Sequence, residues 1–165
     1  MYRVMIVDDE RAIRNLLKLL IDWKSFDMET AGEASSGAEA INIIDEIRPD
    51  IVFADIKMPF MDGIELSKIL TKRYPGIKIV ILTAFNDFEY ARQCVGIGVC
   101  EYIMKPINPE KINEALKKIK ASLDEHSTDL PVADIPENSM MLNMDKIQKY
   151  IFVHYNDQDI NLTSI

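Results

Sequence analysis

Cysteine is nearly absent from this chain: two among 165 residues, Cys94 and Cys100, in apolar surroundings and without metal-ligand spacing. That excludes a disulfide framework and a thiolate metal site, and both read as small buried hydrophobes in a reducing compartment. Glycine and proline are sparse, 6 and 7 residues, which removes collagen-like and low-complexity chains. The two histidines, His126 and His154, have no partner at ligand spacing, so neither metal binding nor general-base work is expected of them. No apolar run approaches the ~18–20 residues that span a bilayer. The opening Met-Tyr-Arg-Val-Met-Ile-Val-Asp holds no secretory h-region. Positive charge is in deficit, 19 basic against 27 acidic residues for a net −8, which argues against an unaided grip on nucleic-acid phosphates. What remains is 48% hydrophobic and 28% charged, the composition expected of a cytoplasmic, acidic, single globular domain with something appended.

Helix and strand patterns alternate through the first three quarters of the chain. Five short apolar, β-branched runs begin near Tyr2, Glu29, Ile51, Ile77 and Cys100, roughly 22 to 27 residues apart, with helical period between them. Ile13, Leu16, Leu17, Leu20 and Ile21 follow the spacing of one buried helix face. Ser36 with Glu39, and Asp62 with Glu65, stand in capping-box spacing and open the second and third helices. Ala40, Ile44 and Ile47 point inward from the second, and Leu66, Ile69 and Leu70 from the third. A fourth helix starts near Asn86 or Asp87 and stops at Gly96 to Gly98. The fifth has Asn108 as N-cap and Pro109 at its first position, then Ile112, Ala115, Leu116, Ile119 and Leu123.

This alternation predicts an α/β fold, a parallel sheet covered on both faces. Val4–Val7, Ile51–Ala54 and Ile79–Leu82 are apolar throughout rather than alternating, as strands buried on both faces are. Sites in such sheets form beyond the carboxyl ends of the strands, where the strand order reverses. Residues 125–143 then lose period and read as a linker. Residues 144–165 regain helical spacing at Met144, Ile147 and Ile151.

The strand ends carry the chemistry. Asp8-Asp9-Glu10 follows the first strand, Asp55 the third, Thr83 the fourth and Lys105 the fifth. Asp8, Asp9 and Asp55 crowded together repel one another, which raises a pKa or demands a cation. An oxygen-only donor set suits a hard ion, Mg²⁺. Lys105 offers a point charge and Thr83 a hydroxyl for phosphate oxygens. Such a constellation predicts phosphoryl transfer with Asp55 as acceptor.

At residues 1–122 the chain resembles the receiver domain of two-component response regulators. The resemblance is carried by Ile6-Val7-Asp8-Asp9-Glu10, Asp55-Ile56-Lys57-Met58-Pro59-Phe60-Met61-Asp62-Gly63, Leu82-Thr83-Ala84 and Tyr102-Ile103-Met104-Lys105-Pro106. It implies a flavodoxin-like, doubly wound (βα)5 fold with a five-stranded sheet in the order 2-1-3-4-5. It further implies that Asp55 accepts a phosphoryl group from a sensor histidine kinase, and that Asp9 ligates Mg²⁺ directly while Asp8 does so mostly through water. Lys57 contributes its backbone carbonyl and Lys105 pairs with the phosphoryl oxygens, with Pro106 cis in the family. Thr83 moves towards the phosphoryl group and Tyr102 turns inward, changing the face built by the fourth helix, fifth strand and fifth helix; Phe88 and Val95 are further candidates for that face. Pairing into homodimers on phosphorylation is expected.

Residues 147–165, with Tyr150, Ile151, Tyr155, Ile160 and Leu162 in sequence, resemble the opening of an AraC-type helix-turn-helix domain. The organisation expected is therefore a receiver over 1–124, a linker over 125–143, and over 144–165 the truncated start of an output domain, DNA being reached only through the remainder. The alternative for the tail is an amphipathic helix docking on a neighbouring chain. Residues 1–124 hold 17 basic and 20 acidic residues and 125–165 hold 2 and 7, so neither part carries the charge of a DNA reader. Two other functions compete: a flavodoxin-like interaction module that is never phosphorylated, and an aspartyl-phosphate phosphatase of the haloacid dehalogenase type. The latter wants an Asp two residues after the nucleophile, where this chain has Lys57.

Overall fold

Residues 1–84 and 88–126 are described by the computed structural model. The expected linker from 127 onward, the tail with His154, the helix cap at Asn86 or Asp87, and the side chains of Phe88 and His126 lie outside the described residues. Along the chain come β1 (Tyr2–Val7), α1 (Arg11–Leu20), a 3₁₀ turn (Trp23–Phe26), β2 (Met28–Ala34), α2 (Gly37–Ile47) and β3 (Ile51–Asp55). There follow α3 (Gly63–Arg73), β4 (Lys78–Thr83), α4 (Phe88–Ile97), β5 (Glu101–Met104) and α5 (Pro109–His126). The strands form one parallel sheet in the order β2-β1-β3-β4-β5, the flavodoxin-like arrangement expected. Among the described residues no helix is long and apolar enough to cross a membrane.

The uninterrupted apolar strands divide their residues between two cores, as the pleat dictates. Val4, Ile6, Ile51, Phe53, Val80 and Leu82 face one side, with Leu17 and Ile21 at the α1 end and Ile112, Leu116 and Ile119 of α5. Trp23 joins them, its ring edge-on to Phe53 at 5.7 Å. Met5, Val7, Val52, Ala54, Ile79 and Ile81 face the other side, against Ala40 and Ile44 of α2, Leu66 and Leu70 of α3 and Cys94 of α4.

Helix ends follow the capping chemistry, with one variation. The Ser36 Oγ accepts from the Glu39 N–H at 3.1 Å and the Asp62 carboxylate accepts from the Glu65 N–H at 2.8 Å. The Glu39 carboxylate reaches one residue further back than a capping box requires, accepting from the Ser35 N–H and hydroxyl at 2.6 Å each. Gly98, at φ 92°, closes α4 with its N–H donating to the Cys94 carbonyl at 3.1 Å. Asn108 caps α5 through the Glu110 N–H at 2.8 Å. That helix continues through His126, two residues into the stretch read as linker.

Helix α1 departs from the expected face. Leu17 and Ile21 are buried and Ile13 and Leu20 pack at the core's margin, but Leu16 is 42% exposed. The half-buried place beside Leu17 belongs to Arg14, one turn earlier, with its side chain 11% exposed. Apolar spacing alone misassigned the stripe because it ignored a charged residue that has partners inside.

Gly63 decides how closely α3 approaches β3. A Cβ at this position would overlap the Asp55 carbonyl oxygen and press on the Ile56 Cα at 3.1 Å. The obstacle is backbone, which no rotamer change relieves. Gly63→Ala is expected to destabilise the protein by about 1–3 kcal/mol. Gly96→Ala, where nothing lies within 4 Å in α4, should be neutral or stabilising by up to about 1 kcal/mol. Urea midpoints of the two variants check this, and equal midpoints would contradict the close approach.

Candidate functional site

Three strands deliver the site. Asp8 leaves the end of β1 with its N–H donating to the Ala34 carbonyl of β2 at 3.1 Å. Its side chain is 1% exposed. One carboxylate oxygen, Oδ1, accepts from the Glu10 N–H at 2.9 Å; the other, Oδ2, accepts from the Lys105 ammonium at 2.9 Å. Asp55 is the last residue of β3, paired on β4 with Leu82, and its Oδ1 lies 3.1 Å from the same Lys105 Nζ. Asp9 is exposed, yet Asp8, Asp9 and Asp55 each offer an oxygen within 4.8 Å of the others.

Lys105 is 12% exposed at its side chain and is anchored by its own backbone: its N–H donates to the Thr83 carbonyl at 2.7 Å. The following Lys105–Pro106 peptide is cis. Glu10 stands at the rim, its carboxylate 4.0 Å from the ammonium. Thr83 ends β4, fully buried and opposite Met104. Lys57 is exposed on the loop beyond β3. Tyr102 pairs with Ile81, two positions short of the end of β5. It is half-buried at the margin of the core beneath α2, α3 and α4, and half-buried Val95 lies on α4. The structure thus brings Asp8, Asp9, Asp55 and Lys105 together, sets Thr83 on the adjoining strand end, and seats Tyr102 in packing.

Charge at the site is unbalanced. Burial pushes the Asp55 carboxyl above its ordinary range, against the pull of Lys105, and the charges of Asp8 and Asp9 push it the same way. Burial opposes the Lys105 ammonium, but the hydrogen bond to Asp8 and the charge of Asp55 outweigh it and hold its pKa above normal. One ammonium faces three carboxylates, whose like charges repel at such close quarters. All the donors are oxygens, with no histidine or thiolate in the set. The set fits a small hard cation.

A family model for the response regulator receiver domain matches residues 4–117. The chain belongs to the response regulator receiver family. Receivers are signalling domains rather than classical enzymes, and this one is related to transcriptional regulators. It is 38% identical over 123 residues to YesN of Bacillus subtilis, described as an uncharacterized transcriptional regulatory protein, covering 74% of this chain and 33% of YesN. It is 29% identical over 161 residues to the transcriptional regulatory protein HptR of Staphylococcus aureus, covering 98% of this chain and 61% of HptR. A crystal structure of a two-component transcriptional regulator AraC from Clostridium phytofermentans superposes with a TM-score of 0.71 at 32% identity, over 78% of this chain and 100% of that one. The chain therefore spans one third of YesN and about three-fifths of HptR.

One residue at the site and one backbone conformation beyond it escaped the sequence reading. Arg14 donates from Nη1 to the Asp8 carbonyl at 2.6 Å; its signal was its i−3 relation to buried Leu17. Phe60, 96% exposed with φ 68°, occupies the left-handed region in the loop after Asp55, and only a turn-geometry argument could have singled it out.

Because the Asp55 pKa lies above the unfolded value, ionising this residue costs stability once the pH exceeds the ordinary carboxylate range. In divalent-free buffer at pH 7, Asp55→Asn is expected to raise Tm by a few degrees. The difference should shrink as pH falls towards about 3.9, where the unfolded carboxyl also takes up its proton. Calorimetry of both proteins across pH 4–8 checks this; a variant no more stable than its parent at pH 7 would mean that Lys105 offsets the buried charge completely.

Proposed function

We propose that the domain is the phosphoacceptor of a two-component relay, taking a phosphoryl group onto Asp55 from the phosphohistidine of a sensor kinase. The observation that supports this best is the Asp55 carboxylate held 3.1 Å from a half-buried ammonium within an acidic cluster. In the transfer, an Asp55 oxygen forms a bond to phosphorus while the bond from phosphorus to the donor imidazole nitrogen breaks, leaving an acyl phosphate and a neutral or protonated imidazole. Lys105 moves its hydrogen bonds towards the incoming phosphoryl oxygens, and Thr83 supplies a hydroxyl to another. Asp9, Asp55 and the Lys57 carbonyl would hold Mg²⁺ directly and Asp8 mostly through water. Bound there, the ion would neutralise charge between carboxylate and phosphoryl oxygens. Tyr102 turning inward then changes the surface of α4, β5 and α5, on which the phosphorylated domains pair.

The domain assists only its own phosphorylation and dephosphorylation. Its setting is the cytoplasm, beside the kinase's phosphorylated histidine. The output is transcriptional and AraC-type, reading DNA through residues beyond this receiver; similarity to HptR along nearly the whole chain and to an AraC regulator supports that assignment. A phosphatase reading is disfavoured by exposed Lys57 at the position where an acid-base carboxylate would stand. An interaction module that is never phosphorylated has no use for a buried, unbalanced carboxylate.

Incubation with acetyl phosphate and Mg²⁺ followed by intact mass measurement is expected to show a single added phosphoryl group, removed by hydroxylamine and absent from Asp55→Asn. An unmodified mass under conditions that label other receivers would favour the interaction module. Thr83→Ala is expected to keep the label but lose most of the label-dependent change in particle mass measured by sedimentation. A full mass change in that variant would remove Thr83 from the signal path.

A further inference from the structure

Helix α1 begins differently from its neighbours. Ser36 and Asp62 cap α2 and α3 with side-chain hydrogen bonds, whereas Glu10, the N-cap of α1, makes none. The loop before α1 carries Asp8 and Asp9, and its local tie is the Glu10 N–H on the Asp8 carboxylate. Arg14 supplies a further one. Helical side chains lean towards the N-terminus, and the guanidinium reaches back from the second turn to donate to the Asp8 carbonyl at 2.6 Å.

Viewed as a stabilising group, Arg14 is a poor occupant. Its Nε is buried without a hydrogen-bond partner, with the Glu33 carboxylate at 3.8 Å and engaged instead by Lys18 at 2.7 Å. A buried, unmet donor costs about 1–3 kcal/mol, and an apolar side chain beside Leu17 would avoid that cost. Besides its ion pair with Glu33, the residue acts on Asp8. Its backbone is held by Ala34 from one side and Arg14 from the other, and its carboxylate by the Glu10 N–H and Lys105.

We propose that Arg14 is a positioning residue for the cation site, fixing the Asp8–Asp9 turn through the Asp8 carbonyl so that both carboxylates converge with Asp55. This rests on the phosphoacceptor reading of the site. Outer partners that orient metal ligands are typically worth 10–100-fold in affinity.

The decisive measurement is Mn²⁺ affinity of the full chain by electron paramagnetic resonance, with no phosphodonor present. By charge alone, deleting a nearby cation should tighten Mn²⁺ binding. Positioning requires the opposite sign: Arg14→Met is expected to bind about tenfold more weakly, and to exchange the Asp9 and Glu10 amide hydrogens faster in ion-free buffer. Arg14→Lys, which keeps the charge and can reach the carbonyl with one donor, should recover part of the loss. Glu33→Gln should leave affinity within about twofold, because the bond to Asp8 survives. Unchanged or tighter Mn²⁺ binding by folded Arg14→Met overturns the proposal, as does an equal loss in Glu33→Gln. Should Arg14→Met fail to fold, Arg14→Gln, polar but too short for the carbonyl, carries the same expectation and the same overturning result. A parent that binds Mn²⁺ but takes no phosphoryl group, with Arg14→Met weakened, would sink the phosphoacceptor reading and leave Arg14 in its role.

Discussion

One half-buried ammonium shared by carboxylates from two strands organises this domain. Lys105 belongs to the β5 end of the sheet, yet its partners are Asp55 at the end of β3 and Asp8 at the end of β1. The strand between them, β4, supplies the fixed point: the Thr83 carbonyl holds the Lys105 N–H, and the long side chain extends over the sheet edge from there. A shorter cation could not make both contacts, and a guanidinium would bring a planar fork where two oxygens from different strands need one compact charge. The strand order itself has a consequence at this point. Since β1 and β3 are neighbours while the chain between them visits β2, two loops diverge and leave the crevice in which the acids meet.

The cluster makes poor sense as a stabilising device. Buried ion pairs recover their desolvation cost only with favourable geometry and balanced charge, and here the acids outnumber the ammonium. Asp55 carries the imbalance, its carboxyl pushed up by burial despite Lys105. A site tolerating that state is complementary to positive charge it does not itself contain, and it is buttressed accordingly. Gly63 brings α3 against the Asp55 backbone, and the two cores clamp the strand ends from both sides. The apolar bulk of the molecule opposes the repulsion concentrated at one edge.

The fold was legible because its three central strands are buried on both faces. Val4–Val7, Ile51–Ala54 and Ile79–Leu82 needed no alternation to be recognised, and their even spacing carried the helices between them. Asp8, Asp9, Asp55 and Thr83 could be picked out because they follow such runs, and Lys105 because it follows the shorter fifth strand, so that a one-dimensional rule about strand ends became a three-dimensional meeting point. The same habit of reading apolar residues failed on α1. It put Leu16 inward, while the structure gives the interior place to Arg14, since a charged residue with a carbonyl to reach can occupy a position that periodicity reserves for leucine. The 3₁₀ turn at Trp23–Phe26 and the displaced reach of Glu39 to Ser35 were equally out of sight, being set by local hydrogen bonds that no spacing pattern encodes. Residues 144–165, outside the described residues, had helical spacing and a resemblance to speak for them.

The anchoring of the site's backbone determines where a change of charge can be absorbed. The Asp8 N–H and carbonyl are both engaged, by Ala34 and Arg14. Asp55 is paired to β4 and pressed by Gly63, whose N–H is itself taken by the Ile56 carbonyl at 2.8 Å. Lys105 is tied to Thr83. With three backbones pinned, altered charge at Asp55 cannot be relieved by sliding β3 or β1; packed interiors resist such movement. Relief therefore falls to side chains along the sheet edge rather than to the strand backbones, a consequence of the packing on both faces of β1 and β3.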